Sequence, residues 1–164
     1  MHKMLNDDSK IDLDDLFDSI LDNTITSIDD IPLEVVSHIT NRVELIDDSI
    51  ILIHIFPIKI KLISDLLFRK MDELTSNLSK YHVIIYSDGN DDIGDEEFRN
   101  WGVEQLQSRE KLIHISFVLE VNSLILILVR FMMTRIKYKS YSIHKNKIDA
   151  INYIKDLQSK YTTI

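Results

Sequence analysis

A chain of 164 residues with 45% hydrophobic residues is long enough for one domain with a buried core and a short appendage. It contains no cysteine, which excludes disulfides, thiolate zinc sites and a cysteine nucleophile. The net charge is −8, with 13 acidic and 3 basic side chains in residues 1–48 and 3 acidic and 9 basic ones in residues 111–164. This acidic balance disfavours nucleic acid as a partner, because phosphate contacts need a net positive surface.

We expect a cytoplasmic protein without a transmembrane segment. The first eight residues lack the continuous apolar stretch of a secretory signal. The most apolar segment, 121–136, is unbroken only from Leu124 to Val129, well short of the roughly 20 residues that cross a bilayer. We therefore interpret this segment as a buried helix.

Residues 1–31 form an acidic N-terminal extension that is predicted to be partly helical or flexible. They are rich in Asp, Asn and Ser, and their one amphipathic helix is predicted at Leu13–Leu21. Because so short a helix has little stability of its own, we expect this extension to bury few large side chains. The predicted domain is therefore 32–164, and we expect residues from about Arg42 onward to fold alone.

The pattern after Pro32 predicts strands first. Alternation at Val36, His38 and Thr40 is typical of β structure. A second apolar pair at Val43 and Leu45 is followed by Asp47-Asp48 and by the apolar run 49–56, which predicts a β-hairpin with a turn at the two aspartates.

Helix and strand patterns alternate from residue 61 to the end of the chain. The predicted helices are 61–80, 96–111, 124–136 and one capped by Asn146, and the predicted strands are 81–86, 112–121 and 138–144. The resulting order ββαβαβαβα predicts an α/β fold with a single mixed sheet of about five strands, covered by about four helices.

Short strings between residues 42 and 157 resemble STAS domains, and more narrowly the bacterial STAS/SEC14-like group related to the anti-sigma-factor antagonists. The similar strings are Asp47-Asp48-Ser49-Ile50-Ile51 followed by Pro57, Val121-Asn122-Ser123, and Asp149-Ala150-Ile151-Asn152-Tyr153-Ile154. They resemble that group's opening hairpin, its fourth strand with the following helix, and its closing helix. The resemblance implies a small, non-enzymatic α/β module that binds protein partners.

The resemblance also implies a phosphorylation switch, which this sequence lacks. Family members commonly carry a phosphorylated Ser or Thr where the helix after the third strand begins. Here that place reads Asp91-Asp92-Ile93-Gly94-Asp95-Glu96, without a hydroxyl group. The nearest hydroxyl residue, Ser87, falls several residues early at the end of the strand. We therefore expect no such switch, and added phosphate would be repelled by the acidic residues.

The acidic loop after the third strand is the predicted partner-binding site, because the resemblance places the recognition surface there. Its predicted binding residues are Asp91, Asp92, Asp95 and Glu96. Their charge would steer a basic protein partner. A calcium loop is disfavoured, because Ile93 stands at the turn glycine position and Arg99 at that of the bidentate glutamate.

No set of residues predicts an enzyme, so we expect no catalytic residue, no metal and no cofactor. The six histidines form no His-x-x-x-His pair, and the three glycines cannot build a dinucleotide or phosphate loop. The strand histidines, among them His82 and His114, are interpreted as structural because no nucleophile or paired carboxylate accompanies them.

A small apolar-ligand or lipid carrier is the main alternative function. SEC14-type relatives suggest it, and the helix from Leu124 to Met133 could line a pocket, although so small a core leaves little room for a cavity of roughly 300 Å³. Phe98, Trp101 and Leu106 are the predicted inward-facing residues of the helix before it. The identity of the protein partner stays open, as does a homodimer.

Overall fold

The computed structural model describes residues 13–56, 60–87, 94–119, 123–137 and 139–162. The helices are α1 (Leu13–Leu21), α2 (Leu33–Thr40), α3 (Lys61–Thr75), α4 (Glu96–Ser108), α5 (Ser123–Arg135) and α6 (Lys147–Thr162), with a 3₁₀ turn at Ile28–Asp30. The strands are β1 (Val43–Asp47), β2 (Ile50–His54), β3 (Tyr81–Ser87), β4 (Leu112–Leu119) and β5 (Ser140–His144). From β1 onward the order is ββαβαβαβα, which confirms the predicted α/β order, and two helices precede it.

The five strands form one mixed sheet in the order β1-β2-β3-β4-β5. β1 is antiparallel to β2, and β2 to β5 are parallel. Each crossover therefore joins neighbouring strands in the same direction along the sheet, so right-handed crossovers place α3, α4 and α5 on one face. Within the described part of the chain, no helix is long and apolar enough to cross a membrane.

Alternate strand residues divide the interior into two cores, one on each face of the sheet. The main core packs α1 to α5 against β-residues such as Ile51, Val83 and Ile115. The smaller core packs Ala150 and Ile154 of α6 against the opposite face. The other buried members of the smaller core are Ile50, Leu52, Ile84 and Val118.

Local hydrogen bonds fix the hairpin turn and the start of α6 at the positions that the sequence predicts. The Asp47 carboxylate accepts a hydrogen bond from the Asp48 backbone N–H at 2.8 Å in the hairpin turn. At the start of α6, Asn146 Oδ1 accepts from the Asp149 N–H at 2.9 Å, while Asn146 Nδ2 donates to the Asp149 carboxylate at 2.8 Å. This cap satisfies one of the unpaired N–H groups at the start of the helix.

The strand predicted at residues 36–40 is wrong, because this segment is helix α2. Its β-branched residues gave a strand signal, yet Val35 and Ile39 lie one helical turn apart and are both buried in the main core. Pro32 at the start of the helix costs no hydrogen bond there, since the first N–H groups of a helix have no partner inside it. Burial of the Val35 and Ile39 stripe therefore overrides the local β preference.

The expectation that residues before Pro32 bury few large side chains is also wrong. Leu16, Phe17 and Ile31 are buried members of the main core. Phe17 packs edge-to-face on Phe56, with ring centroids 6.1 Å apart. Helix α1 is confirmed at its predicted position, and it is docked on the sheet layer. The division into 1–31 and 32–164 stays a prediction.

Replacing Phe17 with Ala should lower the free energy of unfolding by about 3–5 kcal/mol, since it removes a buried aromatic side chain from the main core. The matched control is Leu21→Ala on the same helix, where the side chain is 65% exposed and the expected loss is below about 1 kcal/mol. Urea denaturation measures both values. Equal, small losses in the two variants would show that α1 does not contribute to the core.

Candidate functional site

An apolar pocket of about 170 Å³ lies between the main-core face of the sheet and helices α3, α4 and α5. Its floor includes Ile53, Ile85 and Phe117, which pair directly across β2, β3 and β4 and so form one continuous row. The row lies towards the carboxyl ends of these parallel strands. Open α/β sheets bind ligands at this end where the strand order reverses. Here the strand order is sequential, so the pocket is formed by the helices over the sheet face rather than by such a reversal.

Aromatic side chains form one wall of the pocket. Trp101 of α4 lies between Phe68 of α3 and Phe98 of α4, with ring centroids 5.7 Å and 5.6 Å apart. Leu106 is buried as predicted, whereas Phe98 and Trp101 are half-buried against the pocket. At Gly102, which also lines the pocket, an added Cβ would meet no described atom of a neighbouring element within 4 Å. The absent side chain at Gly102 therefore leaves room beside the aromatic wall.

Among the described lining residues, three are polar, namely Ser64, Ser87 and Arg99. Ser87 is buried at the end of β3, so its hydroxyl group is shielded from a kinase. Arg99 is half-buried, and its guanidinium donates a hydrogen bond to the carbonyl of Gly94. Within the described residues, no carboxylate forms an ion pair with Arg99.

The volume decides which ligands the pocket can hold. An apolar cavity of about 150 Å³ binds benzene, whereas sites for drug-sized molecules span about 300–1,000 Å³. At about 170 Å³, this pocket has room for one ring or a short chain of about six carbons.

The predicted acidic site is only partly within the described residues. Asp91 and Asp92 lie outside them. The Asp95 carboxylate caps α4 by accepting a hydrogen bond from the Phe98 N–H at 2.7 Å. Glu96 is exposed in the first turn of α4, where the helix dipole favours a negative charge. Asp95 thus has a structural role, and partner binding by this loop stays a prediction.

The opposite face of the sheet carries a network of histidine and serine side chains that the sequence interpretation did not find. His114 Nδ1 lies 2.6 Å from Ser140 Oγ, and its Nε2 lies 2.9 Å from Ser142 Oγ. Ser142 Oγ lies 2.9 Å from Ser116 Oγ and 2.7 Å from His144 Nε2. The polar positions alternate along β4 and β5, so the signal was a polar stripe with a period of two residues.

Burial keeps this network neutral. Burial and, to a smaller extent, the neighbouring His82 and His144 lower the pKa of His114 to about 4. Burial also lowers the pKa of His82 and of His144, although the Asp149 carboxylate partly offsets the shift at His144. Among the described residues, the buried His82 Nδ1 has no hydrogen-bond partner. Charging any of these rings therefore opposes the docking of α6 over them.

Helix α5 presents an exposed apolar surface next to the pocket. Ile127 and Phe131, one turn apart, are each 62% exposed. The helix carries Arg130 and Arg135 and no acidic residue. Two large, adjacent and exposed apolar side chains are typical of a surface that meets another molecule.

No family model matches the chain, and neither a curated protein nor a solved structure is significantly similar to it. The STAS/SEC14-like resemblance therefore stays a prediction.

The free energy of unfolding should fall as the pH drops from about 6.5 to about 4. In this window an unfolded histidine binds a proton while the folded His114 does not, so the unfolded state binds more protons and is favoured as pH falls. Each such histidine contributes up to about 1.4 kcal/mol per pH unit. Urea denaturation across this range should give a shallower slope for His114→Gln than for the wild type.

The control is His38→Gln, since His38 is exposed on α2 and outside the network. This variant should keep the wild-type slope. An unchanged slope in His114→Gln would show that His114 does not resist protonation in the folded protein.

Proposed function

We propose that this protein binds a small apolar ligand in the pocket between the sheet and helices α3, α4 and α5. The observation that carries the proposal is the pocket itself, about 170 Å³ of space at the carboxyl ends of three parallel strands with an apolar floor and an aromatic wall. A core that only stabilised the fold would fill this space, because protein interiors are close-packed.

The pocket size also sets the expected affinity. A ligand of about six or seven heavy atoms gains at most about 1.5 kcal/mol per atom. The best dissociation constants are therefore on the order of 0.1 μM, and ligands with about half that gain per atom would bind with constants on the order of 0.1–1 mM. Such affinities suit sensing or carrying a compound that is present at comparable concentrations.

The family resemblance supports a binding function without chemistry. The opening hairpin is part of the order ββαβαβαβα that the sequence predicts. We propose a distant relationship to this group, whose SEC14-type relatives suggest apolar ligands. Ser142 and His144 are in hydrogen-bond contact, but their network serves to satisfy buried polar groups, and we propose no enzymatic activity.

Protein binding of the STAS type is the second candidate function. The exposed pair Ile127 and Phe131 on α5 favours it, because large apolar side chains in an exposed pair mark interaction surfaces. The acidic loop with Asp92 and Glu96 is the other face that could bind a partner. A regulator could use both functions if ligand in the pocket changed the position of α5, which contributes Val129 and Met132 to the lining.

Titration with a neutral compound of benzene size should produce a saturable change in the fluorescence of Trp101. Trp101 is the chain's one tryptophan, and it lines the pocket. In Gly102→Leu the new side chain should fill space beside Trp101 and abolish the signal, whereas Gly102→Ala should retain it. Both variants gain up to about 1 kcal/mol of helix propensity, so stability does not separate them. Equal binding by the two variants would place the ligand elsewhere.

The double variant Ile127→Ser/Phe131→Ser should release a protein partner that binds through α5, with a melting temperature close to that of the wild type because both side chains are exposed. The matched comparison is Asp92→Lys/Glu96→Lys, which should slow association if the acidic loop is the contact. Surface plasmon resonance with a partner isolated on the wild-type chain measures both rates. Wild-type binding by both double variants would contradict the protein-binding function.

A further inference from the structure

We propose that the ligand of the apolar pocket is a small carboxylic acid whose carboxylate binds Arg99. This inference rests on the proposed function and adds the chemical class of the ligand. The geometry that carries it is one half-buried arginine, Arg99, which is the charged residue among the described lining residues of a largely apolar pocket.

The guanidinium of Arg99 has N–H donors beyond those used in its described hydrogen bond. An arginine carries five N–H donors in a planar fork, and the described contact of this one is a hydrogen bond to the carbonyl of Gly94. Two other arginines are already occupied, since Arg69 pairs with Asp65 and Arg109 binds both carboxylate oxygens of Asp72 at 2.8 Å. Arg99 therefore differs from them in lacking an ion pair among the described residues.

The carboxylates of Asp95, Glu96 and Glu97 at the start of α4 do not form an ion pair with Arg99. Asp95 is exposed and directs its carboxylate to the Phe98 N–H. Glu97 forms an ion pair with Lys61, and Glu96 is exposed to solvent. Arg99 therefore forms no ion pair with the carboxylates in the first turn of α4.

A carboxylate fits this site better than a phosphate. The planar fork of a single arginine matches the two oxygens of a carboxylate in a bidentate contact. A phosphate dianion would call for a second cation, and the nearby Lys61 is already paired with Glu97. Ser64 also lines the pocket and adds one hydroxyl group, which suits a carboxylate oxygen.

The volume of the pocket limits the size of the apolar part of the ligand. About 170 Å³ holds one aromatic ring or about six carbons of a chain. The ligand class is therefore a short-chain or monocyclic aromatic carboxylic acid, such as hexanoate or phenylacetate. A long acyl chain exceeds the space between the sheet and the three helices.

The experiment compares matched acids and alcohols by Trp101 fluorescence and by isothermal titration calorimetry on the full chain. Hexanoate is paired with 1-hexanol, and phenylacetate with 2-phenylethanol. The acids should bind the wild type on the order of 10- to 100-fold more tightly than the alcohols, since a hydrogen-bonded ion pair adds to the same apolar contact. Arg99→Gln should remove this difference, because the acids lose the ion pair and bind no more tightly than the alcohols.

Two controls separate the effect of Arg99 from charge in general and from folding. Arg130→Gln on the exposed face of α5 should keep the preference for acids. Arg99→Lys should keep part of it, because a lysine retains the charge without the bidentate fork. Circular dichroism checks that each variant is folded, and the wild-type comparison of acid with alcohol needs no variant.

The outcomes distinguish this inference from the proposed function. Equal affinity of acids and alcohols for the wild type overturns the role of Arg99 while the pocket function stands. The same conclusion follows if Arg99→Gln and Arg130→Gln bind acids equally well. If the wild type binds neither acids nor alcohols, the pocket function and this inference are both wrong.

Discussion

The strictly sequential strand order determines how the whole molecule is built. Each parallel strand lies next to its predecessor in sequence, so every right-handed crossover turns the same way. Helices α3, α4 and α5 therefore share one face, and within the described part of the chain α6 is the helix that packs on the other. The two faces consequently differ in character, with a thick apolar layer on one side and a thin, partly polar layer on the other.

The pocket lies on the face of the sheet that is covered by α3, α4 and α5. Three helices approach the row Ile53, Ile85 and Phe117, and the missing side chain at Gly102 leaves space beneath them. An apolar space of about 170 Å³ beneath three helices is consistent with a binding function.

The N-terminal helix is connected to the pocket through Phe56. Phe56 lines the pocket, and it is held by the ring of Phe17 on one side and the guanidinium of Arg42 at 3.8 Å on another. Docking of α1 thereby supports a wall residue that the sheet alone would leave less constrained. Helix α1 thus supports the site, although none of the described lining residues belongs to it.

On the face covered by α6, side-chain hydrogen bonds stabilise the region beyond the apolar core. Ala150 lets α6 approach the sheet closely above Ile84, while His114 and the serines of β5 bond to one another. Such a network is stable only when its members are paired, because buried polar groups without partners cost about 1–3 kcal/mol each. The network therefore ties the fit of α6 to the neutral form of its histidines.

The sequence by itself determined the features that depend on neighbours within about four positions. Period-two and helical patterns gave the order ββαβαβαβα, and local hydrogen bonding gave the hairpin turn at Asp47 and the cap at Asn146. It also placed Asp95 at the start of a helix, but it did not show that the carboxylate is used as a cap. The same local reasoning failed at α2, where distant partners of Val35 and Ile39 outweigh their β preference.

Only the tertiary structure decided where a ligand could bind. The floor row takes one residue from each of three strands, and its members Ile53, Ile85 and Phe117 are far apart in the sequence. No local pattern distinguishes them from other buried strand residues, because strand register and helix placement depend on contacts across the whole chain. Likewise, Arg99 can be recognised as a candidate ligand-binding residue only because the packing of α4 places it in the pocket lining. A binding site assembled from six elements is a property of their packing, and packing is what a single sequence leaves unspecified.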